Sequence, residues 1–320
     1  MHVFSCLEIE GSFYNSDYGL KHRFTILEEE YESWEEISKK CMTLGCNAEL
    51  FAVLFQIPSY ILADDLETVI SSFEKISEAI EEGSIETLLD SYPEVFDNVP
   101  IYIPLNVLDE QFKKLFENKE LVKVIFKKFQ GILGGLWERF YQKHWETKAT
   151  KLIEKRIKDL NIILSPINII SAWQREFNLK FPYPEFTVYL VEPTTTIATN
   201  LLAEKIMVSA NLDDMILYKI IIHEVGRAFL LNTNLFTNDN LKTIAQSNIE
   251  KLSNIVDAAC IHIKKKLFKN LKIRDEELDP YFVPEVSEII PVFAQIWDSM
   301  QEKDIYEALI QTYNKLTPVI

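Results

Sequence analysis

The chain has 320 residues, 8 glycines, 12 prolines and 4 cysteines, with a formal net charge of −16. This length can bury a sizeable core in one large unit or two closely packed ones, and the negative charge repels phosphate backbones and anionic lipids, so neither nucleic acid nor a membrane surface is an expected partner. With so few glycines and no G-x-G-x-x-G or G-x-x-x-x-G-K-[ST] loop, the common nucleotide-binding classes drop out.

Cys6, Cys41, Cys46 and Cys260 show no C-x-x-C spacing and lie in apolar or amphipathic surroundings. They read as buried thiols of a reducing compartment rather than as a disulfide framework. No 18-residue apolar run occurs and the start, MHVFSCLEIEGSFYN, has neither a basic n-region nor a continuous apolar one. The expected location is cytoplasmic.

In chain order, the first two dozen residues read as extended, with Gly11 at a turn or bulge. Helices follow. The stretch TILEEEYESWEEISKKCMTLG opens with Thr25 three residues before Glu28, a capping-box spacing, and stops at Gly45. ADDLETVISSFEKISEAIEEG repeats the design, with acids in its first turn and Gly83 at its end. Their acidic faces read as solvated helix surface. Residues 106–160 stay helical, Gly134 and Gly135 mark a kink or break, and Trp137, Phe140, Tyr141 and Trp145 recur at the spacing of core packing. Ser165 can cap a further helix with Pro166 in its first position.

The composition then changes. YPEFTVYLVE and AEKIMVSAN read as two short strands, about 185–191 and 204–209, joined by the polar loop PTTTIATN. A helix over about 212–231 comes next, and two long helical stretches, about 239–269 and 285–316, finish the chain. The expectation is an α+β, predominantly α-helical protein: a mostly helical N-terminal region over 1–160, then a region over 161–320 with a small sheet beside the 212–231 helix.

That helix carries the chemistry. Asn211 can cap it, and Asp213 and Asp214 suit the positive end of its dipole. From Met215 to Leu231 it is apolar on nearly every face, as a helix buried in the centre of a domain is. Lys219, His223, Glu224 and Arg227 interrupt it. Ionised groups on a buried helix must be paired or bound to a metal. Positions 219, 223 and 227 form one stripe, and Glu224 lies within reach of Arg227.

His223-Glu224-Val225-Gly226-Arg227, with the strand AEKIMVSAN before it, resembles the H-E-x-x-H helix of the zincin metallopeptidases over roughly residues 165–265. In that motif two histidines one turn apart hold zinc and the Glu is general base to the bound water. The resemblance implies a zincin-like core, with His223 as first ligand and Glu224 in the general-base position. Arg227 stands in place of the second His. It also implies an acidic third ligand on the following helix: Asp257, in NIVDAACIHI, or Glu250. The apolar stripe Leu252, Val256, Ala259, Ile263, Leu267 leaves Asp257 on its flank and Glu250 farther off, and the alternative for both is a surface acid.

A guanidinium has no lone pair for a metal, so Arg227 cannot be a ligand. It is expected to lie in or near the vacated metal position, paired with Glu224, with Asp257 or Glu250, or with both. His2, His22, His144 and His262 supply no ligand, and Tyr281 is at most a transition-state donor. Three readings follow. One is a zinc-metallopeptidase-like protein that has lost its activity and its cofactor and serves as a binding or structural protein. Its partner would be a peptide or protein segment in a retained cleft, added along 204–209. Another is an active metal-dependent peptidase with zinc and a non-standard ligand set. The third is a helical protein unrelated to zincins.

Overall fold

A computed structural model describes residues 27–45, 65–83, 105–191, 198–232, 238–271 and 283–317, together with Thr87 and Leu235. The extended start, the loop 192–197, Cys6, Cys46, His2, His22 and Tyr281 lie outside them, as do the side chains of Phe140, Tyr141, His144 and Trp145. The fold is predominantly helical with a small sheet. The chain divides into two compact units, Met1–Arg156 with Leu190–Ile197, and Ile157–Tyr189 with Ala198–Ile320.

In the first unit, α1 (Glu28–Leu44), α2 (Leu66–Glu82) and α3 (Leu105–Glu117) all pack on α4 (Lys119–Leu136). α1 and α2 stop where glycines predict, at Gly45 (φ 62°) and Gly83 (φ 69°), left-handed positions that cost glycine nothing. The start of α1 is shifted from the expected capping box. Leu27 is the cap and the Glu30 carboxylate accepts from its backbone N–H. α4 buries Val122, Ile125, Phe126, Phe129, Ile132, Leu133 and Leu136, one broad helical face, against Phe73 of α2 and Trp34 of α1. Directly after Gly134 and Gly135 the winding changes from α to π over Trp137–Ala149, which is the break expected there. Arg139 donates to Glu30 beside Gly135, where a Cβ would meet both side chains. α5 (Thr150–Leu164) follows, and the division between the units falls within it, after Arg156.

In the second unit, α6 (Ile169–Phe177) is capped by Asn168, whose side chain accepts from Ser171 N. This corrects the Ser165 cap, because the chain turns twice more before the helix closes. Among the described residues the sheet has three strands rather than two: β1 (Thr187–Val191), β2 (Ala198–Leu202) and β3 (Lys205–Ser209), in the order β1-β3-β2. β2 and β3 form an antiparallel pair across the tight turn Ala203–Glu204, with a register shift between Asn200 and Leu202. β2 draws on the end of the stretch expected to be loop, since ladder bonds to β3 outweigh the weak strand propensity of Ala-Thr-Asn. β3, expected to be an open edge, is the inner strand, so an extended segment cannot add along it.

α7 (Asp214–Leu230) packs on α6 and on α8 (Asp239–Leu271), and α8 also meets α9 (Pro284–Ser299) and α10 (Ile305–Leu316). The cap of α7 is Asp213, which accepts from Met215 N at 2.8 Å; Asn211 donates instead from its backbone to Ser209 Oγ. At the other end the buried Asn232 side chain donates to the carbonyls of Ala228 and Phe229, closing the last turn. α8 is kinked at Asn248 (φ −160°, ψ 82°), whose side chain caps the second half by accepting from Lys251 N at 2.9 Å. The expected 285–316 helix is two. Met300 is extended and Asp304 starts α10 by accepting from Tyr306 N and Glu307 N.

Gly226 owes its place to packing. The indole of Trp173 on α6 is fully buried, lies against α7 and donates to the Ile222 carbonyl at 2.8 Å. A Cβ at Gly226 would stand 2.6 Å from Trp173 Cζ2. Trp173 is itself held by Phe177, and Phe177 by Phe229, so it has no room to retreat. Gly226→Ala is therefore expected to destabilise the protein by about 1–3 kcal/mol in urea denaturation, in spite of alanine's better helix propensity. An unchanged or raised midpoint would contradict the packing account.

Candidate functional site

The polar stripe of α7 meets a polar stripe of α8 inside the apolar core of the second unit. On α8, Ser253, Asp257, Cys260 and Lys264 recur at helical spacing and share one face, while Ile255, Val256, Ala258, Ala259 and Ile261 around them are buried. Contacts run in opposite senses along the two helices. Arg227 reaches Ser253 and Asp257, and His223, one turn earlier on α7, reaches Asp257 and Lys264, farther along α8. The helices thus form an antiparallel pair with a polar seam.

His223 Nε2 lies 3.0 Å from Asp257 Oδ1 and its Nδ1 3.4 Å from Lys264 Nζ. Arg227 Nη1 lies 3.1 Å from Asp257 Oδ1, its Nη2 donates to Ser253 Oγ at 3.3 Å, and its Nε stands 3.8 Å from Glu224 Oε2. Residue exposure is 0% for His223, 1% for Lys264, 4% for Glu224 and 8% for Asp257. Arg227 keeps 15% of its side chain accessible, so the guanidinium points into the seam and not to solvent. Lys219 is buried on the same stripe.

Burial would raise the Asp257 carboxyl, but the charge of Arg227, the bond to His223 and the charge of Lys264 outweigh it and hold the group below its usual pKa. Burial, and then the charge of Lys264, push the His223 imidazole below its usual value against the opposite pull of Asp257 and Glu224. Burial pushes the Cys260 thiol well up, with Asp257 adding to it, so this sulfur stays protonated and unreactive.

The residues assigned from sequence separate cleanly. His223, Glu224, Arg227 and Asp257 come together, and Asp257 is no surface acid. Glu250 does not join them: it is exposed, in the first turn after the Asn248 cap, where a carboxylate suits the helix dipole. His262 lies beside Asp298 at 3.3 Å and packs its ring on Phe293, away from the seam. Lys264, Ser253 and Trp173 were missed. Lys264 opens the run Lys264-Lys265-Lys266, which reads as a solvated surface; its two neighbours are exposed. The available signal was its spacing of seven from Asp257.

This donor set does not fit a zinc ion, which takes lone pairs from His, Cys or carboxylate side chains. Arg227 has none to give, and both Asp257 oxygens already face Arg227. Among the described residues, no three His, Cys, Asp or Glu side chains are grouped to hold a metal. No helix among the described residues is long and apolar enough to cross a membrane. No protein family, curated protein or solved structure matches the chain.

The seam makes stability depend on pH. The folded pKa of His223 lies below the ordinary 6.5, so as pH falls the unfolded chain takes up this proton first and stability is lost. The loss begins near pH 6.5 and runs at up to about 1.4 kcal/mol per pH unit until the folded pKa is reached. Asp257, also lowered, adds a loss below its ordinary 3.8. His223→Gln keeps a donor and an acceptor but does not titrate. Its urea stability is expected to fall less steeply between about pH 6.5 and pH 5 than that of the natural protein, and parallel curves would contradict the buried neutral imidazole.

Proposed function

We propose that this chain is a catalytically inactive relative of the zincin metallopeptidases in which the Arg227 guanidinium stands where the family holds its metal cation, and that it works as a binding or structural protein. The observation that carries the reading is the convergence of His223 and Asp257 with the guanidinium, at 3.0 Å and 3.1 Å from one carboxylate oxygen. The third-ligand position, Asp257, then faces a cation, but an organic one built into α7, and the first-ligand position, His223, bonds to the same carboxylate oxygen. Glu224, in the general-base position, has its carboxylate turned toward Arg227 Nε at 3.8 Å, which suits a counter-ion better than a base for water.

A second reading has an observation of its own. The fit of Trp173 against Gly226 accounts for the glycine without any motif, which favours a helical protein unrelated to zincins whose His-Glu pair belongs to a core ion network. Both readings leave the chain without peptidase chemistry. A partner in the first reading is a peptide or protein segment, and it would have to dock without pairing along the inner strand β3.

Loading the natural protein with zinc, dialysing it and measuring metal by elemental analysis tests the proposal against the active-peptidase alternative. Zinc far below one ion per chain is expected, with no cleavage of a mixed peptide pool. Stoichiometric zinc with cleavage that a chelator abolishes would overturn it.

A further inference from the structure

The His223 ring spans two turns of α8, with Asp257 at one nitrogen and Lys264 at the other. A carboxylate can only accept, so Nε2, 3.0 Å from Asp257 Oδ1, carries a hydrogen and donates it. An ammonium can only donate, so Nδ1, 3.4 Å from Lys264 Nζ, offers its lone pair. A hydrogen on Nδ1 would set two donors against each other at a place where His223 is 0% and Lys264 1% exposed, with no bulk water to screen them. Lys264 is kept in position by its own helix and by the Phe268 ring, 5.9 Å from the ammonium.

We propose that Lys264, acting with Asp257, holds His223 in its Nε2–H tautomer, and that Lys264 is therefore a second lock, beside Arg227, that closes this position to metal ions. A histidine that ligates a metal donates the hydrogen of its other ring nitrogen to an acceptor, which frees the ligating nitrogen's lone pair. Here the far nitrogen meets a donor, and the lone pair is turned to the Lys264 side, away from Asp257 and Arg227. Restoring a histidine at 227 does not free it. Lys264 is a positioning residue, acting through the ring it orients.

Two-bond ¹H–¹⁵N correlation spectra of histidine-labelled natural protein at neutral pH, with the His223 signals assigned by their loss in His223→Gln, read the tautomer directly. A protonated Nε2 and a bare Nδ1 are expected. A protonated Nδ1, or a ring protonated at both nitrogens, would overturn the proposal. The second arm, which alone rests on the metallopeptidase reading, compares zinc affinity in Arg227→His and in Arg227→His/Lys264→Gln, where the glutamine carbonyl can accept from Nδ1–H. The double variant is expected to bind zinc about 10-fold to 100-fold more tightly than the single one. Equal, measurable affinities would remove Lys264 as a lock. If neither variant holds zinc, the metallopeptidase reading and the lock both fail, and the tautomer stands or falls on the spectra alone.

Discussion

The second unit is organised by the need to pair charges that α7 carries into its core. His223, Glu224, Arg227 and Lys219 sit on a helix whose surroundings are otherwise Leu, Ile, Val and Phe. Water reaches little of the seam, so an unpaired charge there costs several kcal/mol. α8 answers Arg227 and His223 with Asp257 and Ser253, and on the same face Lys264 donates to the His223 ring. Because each contact joins a fixed turn of one helix to a fixed turn of the other, the seam sets both the axial register and the rotation of the pair. A slide by one turn that brought Arg227 to the place of His223 would set its guanidinium against the Lys264 ammonium as well as beside Asp257, two cations facing each other in the core. Apolar packing alone is more tolerant, as many side chains of similar volume fill a core.

The remaining elements follow from this pair. α6 covers another face of α7 because Gly226 lets the Trp173 indole lie against the backbone and bond to the Ile222 carbonyl. α9 and α10 cover α8, which buries Leu252, Ile255, Val256, Ala259, Ile263 and Leu267. The kink at Asn248 ends the straight run of α8 just before Ser253, so the part that bears the seam begins with its own cap. Buried ion networks add less stability than apolar cores of the same volume, and their better attested use is to select one register.

Much of this was legible from residue order. Gly45 and Gly83 announced their helix ends because only glycine takes a left-handed position without strain. The uniform apolarity of 215–231 announced a buried helix, and its four ionisable residues announced that partners must exist. Asp257 could be chosen as one of them, although its place on the flank of the apolar stripe hid how deeply it lies. Other features depended on tertiary context. Lys264 looks like its exposed neighbours Lys265 and Lys266 until the second unit folds around it. β2 is a strand because β3 is beside it, and Asn248, Asp304 and Asp213 become caps only once the chain direction is set, each having a rival polar residue nearby.

A double-mutant cycle on Arg227 and Asp257 tests the central claim most directly, with urea stabilities of the natural protein, Arg227→Met, Asp257→Asn and the combined variant. If the guanidinium–carboxylate pair at 3.1 Å organises the α7–α8 seam, each single change strands a buried charge and the combined variant recovers part of the loss. A coupling of at least about 2 kcal/mol is then expected. Additive losses, within about 0.5 kcal/mol, would mean that the two groups ignore each other and that the seam is not what holds the helices in register.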